Sequence, residues 1–225
     1  MEYKITGDNL QLVSLQLSPG EKIFAEAGAM IYMSANMQME AKMRGGLMKG
    51  IGRKFAGETA FLTEFTSAGG NALVSFGGPA PGKIKMLEVS PNKEFIIQKD
   101  AFLVAEENVD LSIVFQKRLG AAFFGGEGFI LEKISGDGKA FINACGDFVE
   151  FDLAENQVLK VDTGMAVGWD STVTYDIERV KGIKTMFFGG EGLFLATLKG
   201  PGKIILQSMS LHALTATILR SMPRR

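Results

Sequence analysis

Val109-Asp110-Leu111-Ser112-Ile113-Val114-Phe115 decides the fold, because Val109, Leu111, Ile113 and Phe115 recur at every second position around Asp110 and Ser112. A period of two puts alternate side chains on opposite faces of an extended strand, one buried and one wet, as in an antiparallel sheet. The same alternation returns at Met37, Met39, Ala41 and Met43 around Gln38 and Glu40, and at Val173, Tyr175 and Ile177 around Thr174 and Asp176. Shorter runs, 83–87, 140–144 and 203–207, are bounded by Gly-containing turns and read as further strands of a sandwich or barrel. Glycine is abundant, 28 of 225 residues against 6 prolines, which favours tight turns over a disordered linker. Helical spacing appears twice. Leu47, Met48, Ile51 and Phe55 suggest a short helix over 45–56, where four glycines oppose it. Leu211, Leu214 and Ile218, with a serine cap and Arg220 near the end, predict a helix over 208–221.

The chain repeats itself. Phe124-Gly125-Gly126-Glu127-Gly128-Phe129 returns as Phe188-Gly189-Gly190-Glu191-Gly192-Leu193, with a weaker copy at Phe55-Ala56-Gly57-Glu58. A Gly-Lys pair follows each, as Gly82-Lys83, Gly138-Lys139 and Gly202-Lys203. Pro19, Pro91 and Ala154 each open a polar turn, eleven residues before Met30, Phe102 and Met165. Three markers in one order predict three internal repeats, about 10–86, 87–149 and 150–210, inside a single compact domain spanning 1–225. The fold class expected is all-β: three tandem β-sandwich-like repeats with a short C-terminal helix.

Composition excludes several chemistries. A single cysteine, Cys145, leaves no intrachain disulfide, and a single histidine, His212, leaves no multi-histidine metal centre. No cofactor and no metal is expected. The sequence starts without a basic segment followed by an apolar run, and it has no apolar stretch of spanning length, so a cytoplasmic location is expected. Twenty-four basic and 25 acidic residues give a net charge of −1, which argues against wholesale binding of nucleic acid.

Ala25-Glu26-Ala27-Gly28-Ala29-Met30, Arg44-Gly45-Gly46-Leu47, Gly57-Glu58, Val161-Asp162-Thr163-Gly164 and the two Phe-Gly-Gly-Glu-Gly runs together resemble a family. It is the bacterial and archaeal group of uncharacterised proteins related to the altered-inheritance-of-mitochondria, or mitochondrial biogenesis, proteins. The resemblance spans nearly the whole chain. It implies a fold like that of the tryptophan RNA-binding attenuation protein, repeated three times, and a homotrimer. It implies no catalytic residues.

The motifs themselves are read structurally. Gly57-Glu58, Gly126-Glu127 and Gly190-Glu191 fit neither a dinucleotide fingerprint nor a phosphate loop, and a central glutamate repels phosphate. They are taken as repeat markers in tight turns. Asp162-Thr163-Gly164 matches the catalytic loop of aspartic proteases, whose chemistry needs a second carboxylate, but the corresponding positions hold Ala27-Gly28-Ala29 and Lys99-Asp100-Ala101. No catalytic residue is assigned. Charge placement says more. Residues 41–54 carry Lys42, Arg44, Lys49, Arg53 and Lys54 with no acid. Basic residues precede each Gly-Glu marker, with Lys117 and Arg118 in the second repeat and Lys181 and Lys184 in the third. These nine cations are the candidate partner or anion-binding set. Acid runs lie at 100–110 and 146–155. By elimination the expected function is a non-enzymatic oligomeric β scaffold that binds a protein or an anionic membrane surface. RNA binding, or a small-ligand site in a sandwich interior, is the alternative.

Overall fold

A computed structural model describes residues 1–43, 61–117, 129–179 and 194–222. The first strands are β1 (Glu2–Thr6), β2 (Leu12–Leu17), β3 (Lys22–Glu26), β4 (Met30–Met33), β5 (Met37–Met43), β6 (Phe61–Ser67), β7 (Ala72–Gly77) and β8 (Gly82–Val89). There follow β9 (Phe95–Gln98), β10 (Phe102–Glu106), β11 (Val109–Lys117), β12 (Phe129–Gly136), β13 (Gly138–Cys145) and β14 (Phe148–Leu153). The last are β15 (Val158–Asp162), β16 (Ala166–Asp170), β17 (Thr174–Arg179), β18 (Phe194–Lys199) and β19 (Gly202–Gln207), before α1 (Leu211–Ser221). The fold is all-β, as the alternating segments require.

The described strands form four antiparallel sheets, none closed into a barrel. Their strand orders are β1-β2-β7-β4, β5-β6-β3-β10-β13-β8, β11-β12-β9-β16-β19-β14 and β15-β18-β17. Each six-stranded sheet interleaves early and late segments, since β8 pairs with β13 and β14 with β19. Among the described residues three apolar cores lie between successive sheets. The first joins Val13, Leu15, Phe76 and Phe65 to Val104 and Phe141. The second joins Phe24, Leu87, Phe102 and Ile142 to Phe95, Ile97 and Ile205. The third joins Trp169, Phe129, Leu131 and Ile204 to Val161, Ile177 and Leu198. Each fully buried Leu or Phe contributes about 1.5–3 kcal/mol. The stack holds because the inner sheets are apolar on both faces.

The strand pairings carry one irregularity three times. Register shifts fall between Met30 and Tyr32 against β7, between Phe102 and Val104 against β13, and between Ala166 and Gly168 against β19. A bulge lets two successive residues face the same way. Leu103 and Val104 accordingly both enter the first core, which strict alternation forbids.

Two sequence expectations need adjusting at their edges. Boundaries at 87 and 150 cut through β8 and β14, whereas the chain turns at Ser90–Lys93, around Pro91, and at Ala154–Gln157, where Asn156 adopts φ 62°. Gly138 and Gly202 open β13 and β19, but the register places Ala72, not Gly82, at the matching point of β7. Gly82 instead opens β8, where its backbone passes directly against Ala144 and Gly146. The C-terminal helix begins at Leu211, later than 208, because β19 runs to Gln207 and Ser210 Oγ accepts the Ala213 N–H at 3.1 Å. The expected helix over 45–56 lies outside the described residues. No helix among the described residues is long and apolar enough to cross a membrane.

Candidate functional site

By their place in the sequence, the candidate cations fall at or just beyond the ends of three strand pairs. β5 and β6 end at Met43 opposite Phe61, β11 and β12 at Lys117 opposite Phe129, and β17 and β18 at Arg179 opposite Phe194. The connections beyond those pairs carry Arg44, Lys49, Arg53 and Lys54 in the first, Arg118 in the second, and Lys181 and Lys184 in the third. All seven lie outside the described residues, as do Gly57, Glu58, Gly126, Glu127, Gly190 and Glu191. Lys117 is the last residue of β11. Lys42 is described and is already engaged: its Nζ lies 2.6 Å from Glu64 Oε1 and 3.4 Å from Glu40 Oε2. The hydrogen bond to Glu64 holds its ammonium above the ordinary lysine range. Lys42 therefore leaves the set available to a partner.

The acid runs are also engaged, by strands that sequence spacing does not bring to mind. Asp147 meets Lys83 at 2.6 Å, and Glu150 meets Lys85 at 2.6 Å and Lys203 at 3.3 Å. Hydrogen bonding from Lys85, then its charge and that of Lys203, holds the Glu150 carboxyl below its usual range against opposing burial. In the other run, Glu107 faces Lys22 at 3.4 Å and Glu106 accepts the Lys139 N–H at 2.6 Å. Exposed pairs of this kind add little stability, but they neutralise the surface locally.

The remaining chemical candidates have structural duties. Asp162 Oδ1 accepts the Gly164 N–H at 2.8 Å and caps a 3-10 turn, Thr163–Met165. Gln207 Nε2 donates to the Gly164 carbonyl at 2.8 Å, tying that turn to β19. Cys145 is buried, and burial pushes its thiol up, away from the reactive thiolate. His212 stands on the exposed side of α1. Among the described residues, no group of three His, Cys, Asp or Glu side chains is placed to hold a metal.

Two features escape the sequence. Glu132 on β12 is only 3% exposed, between Ile113 of β11 and Ile97 of β9. Burial, reinforced by the charges of Glu26 and Asp100 and opposed by Lys99, pushes its carboxyl up to about 8. Its place in Leu131-Glu132-Lys133 looks like an outward position, but it shares a strand face with buried Ile130 and Ile134, and the other face of β12 is covered by the third core. The second feature is an apolar cleft of about 430 Å³ beside β15, walled by Val149, Phe151, Leu159, Val161, Met165 and Leu206.

The described residues form an all-β stack in which Asp162 caps a turn and Asp147 and Glu150 are held in ion pairs. The chain belongs to the mitochondrial biogenesis AIM24 family, whose model matches residues 3–209. It is 29% identical over 220 residues to an uncharacterised protein of Streptococcus pyogenes serotype M6, covering 94% of this chain and 87% of that one. The crystal structure of protein SPYM3_0169 from Streptococcus pyogenes superposes with a TM-score of 0.79 at 25% identity, over 98% of this chain and 99% of that one.

Proposed function

We propose that the chain is a non-enzymatic scaffold of three tandem β units, acting in the cytoplasm as a homotrimer and meeting an anionic surface through its basic end. The observation that carries this reading is the placement of the cationic connections. Seven of the nine candidate cations fall between β5 and β6, β11 and β12, or β17 and β18, the same step of the strand series each time. Among the described residues Lys83, Lys85, Lys133 and Lys203 are matched by acids, which supports looking to those connections for the partner contact. Three copies would multiply it and add avidity.

The small-ligand alternative draws less support. The cleft by β15 has a ligand-sized volume, but its polar groups are occupied: Asp162 and Gln207 at the turn, and Lys160 at Glu178, 2.8 Å away. The RNA alternative rests on likeness of fold, which is weak evidence for function.

The test is cosedimentation with phosphatidylserine-containing and pure phosphatidylcholine vesicles, beside light scattering for mass. Wild-type protein should scatter as a trimer and sediment with the anionic vesicles at low salt. Arg53→Glu with Lys54→Glu should abolish sedimentation at unchanged mass, and high salt should mimic it. Equal sedimentation of variant and wild type would overturn the basic end as the contact.

A further inference from the structure

The two outer sheets of the stack are unequal halves of the inner ones. Each six-stranded sheet consists of two trios, β5-β6-β3 beside β10-β13-β8, and β11-β12-β9 beside β16-β19-β14. The fourth sheet, β15-β18-β17, matches the first trio alone, and the first sheet, β1-β2-β7-β4, matches the second trio with β1 added. The bulge shared by β4, β10 and β16 fixes this correspondence residue by residue. Within the chain the trios join twice: Val104, Ala105 and Glu106 pair with Ala25, Phe24 and Ile23, and Gly168, Trp169 and Asp170 pair with Ile97, Ile96 and Phe95. Among the described residues the third junction is left open. β4 ends one sheet and β15 ends another, and none of the three cores brings those two sheets together.

The open edges carry the side chains of a junction. Leu103, Val104 and Ala105 are at most 1% exposed, and Val167 and Trp169 likewise, whereas Ile31, Tyr32 and Met33 on β4 stand 56%, 45% and 37% exposed. Phe151, bordering the cleft beside β15, is 44% exposed, while Leu87, at the matching point of β8, is 4% exposed. An unpaired apolar edge strand is a template for another strand, and a protein that keeps one exposed needs it covered.

We propose that β15 of one copy pairs with β4 of a second copy, antiparallel and head to tail, making one seven-stranded sheet of order β17-β18-β15-β4-β7-β2-β1. The two internal junctions fix the register: Tyr32 opposite Val161, Met33 opposite Lys160, and Ser34 opposite Leu159. Ile31 and Tyr32 then point as Leu103 and Val104 do toward the first core and Val167 toward the second, into the open side of the third core where the cleft lies. The hydrogen bond between the Tyr32 hydroxyl and Ser14, 3.1 Å, holds that ring on the outer face beforehand. The contact joins unlike surfaces, so copies add in one direction until a ring closes. This deepens the oligomeric scaffold reading and rests on it.

The test uses the full chain in two forms. Ile31→Glu changes a side chain that a single copy leaves exposed, so the circular dichroism spectrum should stay unchanged while light scattering at tens of micromolar drops from oligomer to monomer. Separately, Met33→Cys combined with Lys160→Cys should give a ladder of disulfide-linked multimers on mild oxidation, because directly opposed strand residues lie about 4.5–5.5 Å apart, within disulfide reach. Either single cysteine variant should give no ladder. An oligomer that keeps its mass with Ile31→Glu and yields no ladder overturns this junction and leaves the scaffold reading standing. A wild-type protein that scatters as a monomer overturns both.

Discussion

The Asp162 carboxylate and the Gly164 N–H, 2.8 Å apart, close a turn on which β15 and β16 both depend. A side-chain oxygen is what the turn requires, and charge is not. Asp162→Asn should hold stability within about 0.5 kcal/mol, and Asp162→Ala should cost about 1 kcal/mol, as loss of a cap does. Chemical denaturation measures both. Equal losses for the two variants would refute the turn role.

Glu132 should make the protein less stable as pH rises. Its folded carboxyl titrates near 8 and its unfolded one near 4.5. Between those values the unfolded chain has released the proton and the folded chain still holds it, so stability declines across that window and levels off outside it. A shift of this size corresponds to roughly 4–5 kcal/mol over the window. Glu132→Gln keeps the shape without the titration, so a melting series from pH 5 to 8 should flatten in the variant. A wild-type series already flat would refute the buried acid.

Gly82 and Gly20 should respond differently to alanine. A Cβ on Gly82 would strike the backbone of Ala144 and Gly146, so Gly82→Ala should cost about 3 kcal/mol or more. Gly20 has open space but φ +80°, so Gly20→Ala should cost only the left-handed strain, about 1–2 kcal/mol. Urea unfolding separates the two, and a Gly82→Ala loss under 1 kcal/mol would contradict the close approach of β8 to β13.

Ser210 should hold the C-terminal helix. Its hydroxyl accepts the Ala213 N–H, and α1 buries little of its length. An eleven-residue helix with little tertiary support depends on its cap. Ser210→Ala should reduce the helical circular dichroism signal while the strand signal stays. No change would assign the helix to contacts made elsewhere.

The alternation at Val109–Phe115 made the all-β class legible, because a half-buried strand writes its two faces into the sequence. The C-terminal helix was legible for a similar reason, through Leu211, Leu214 and Ile218 and a serine before them. The β4 edge was not. Met30-Ile31-Tyr32-Met33 and Phe102-Leu103-Val104-Ala105 are equally apolar runs, yet one is exposed and the other buried. That difference depends on which strand lies alongside, a non-local fact that composition does not carry. Of the candidate site, the cations before the Gly-Glu markers are a sequence expectation, and seven of the nine lie outside the described residues. The withdrawal of Lys42 to Glu64 was not legible, since the two come within diagonal reach only once β5 pairs with β6.

The interleaving of β8 with β13 also sets a timetable for the emerging chain. During synthesis β8 leaves the ribosome about fifty residues before the strand that will pair with it, and at roughly 5–20 residues per second that is about 3–10 s. Throughout this interval Leu87 and Val89 lack the strand beside them and their share of the second core. Lys83, Lys85 and Glu88 lie along the same strand, so the waiting segment carries its own charges, which discourage pairing with other nascent chains. On this view those charges protect the protein before it is folded as much as they pair with acids afterwards.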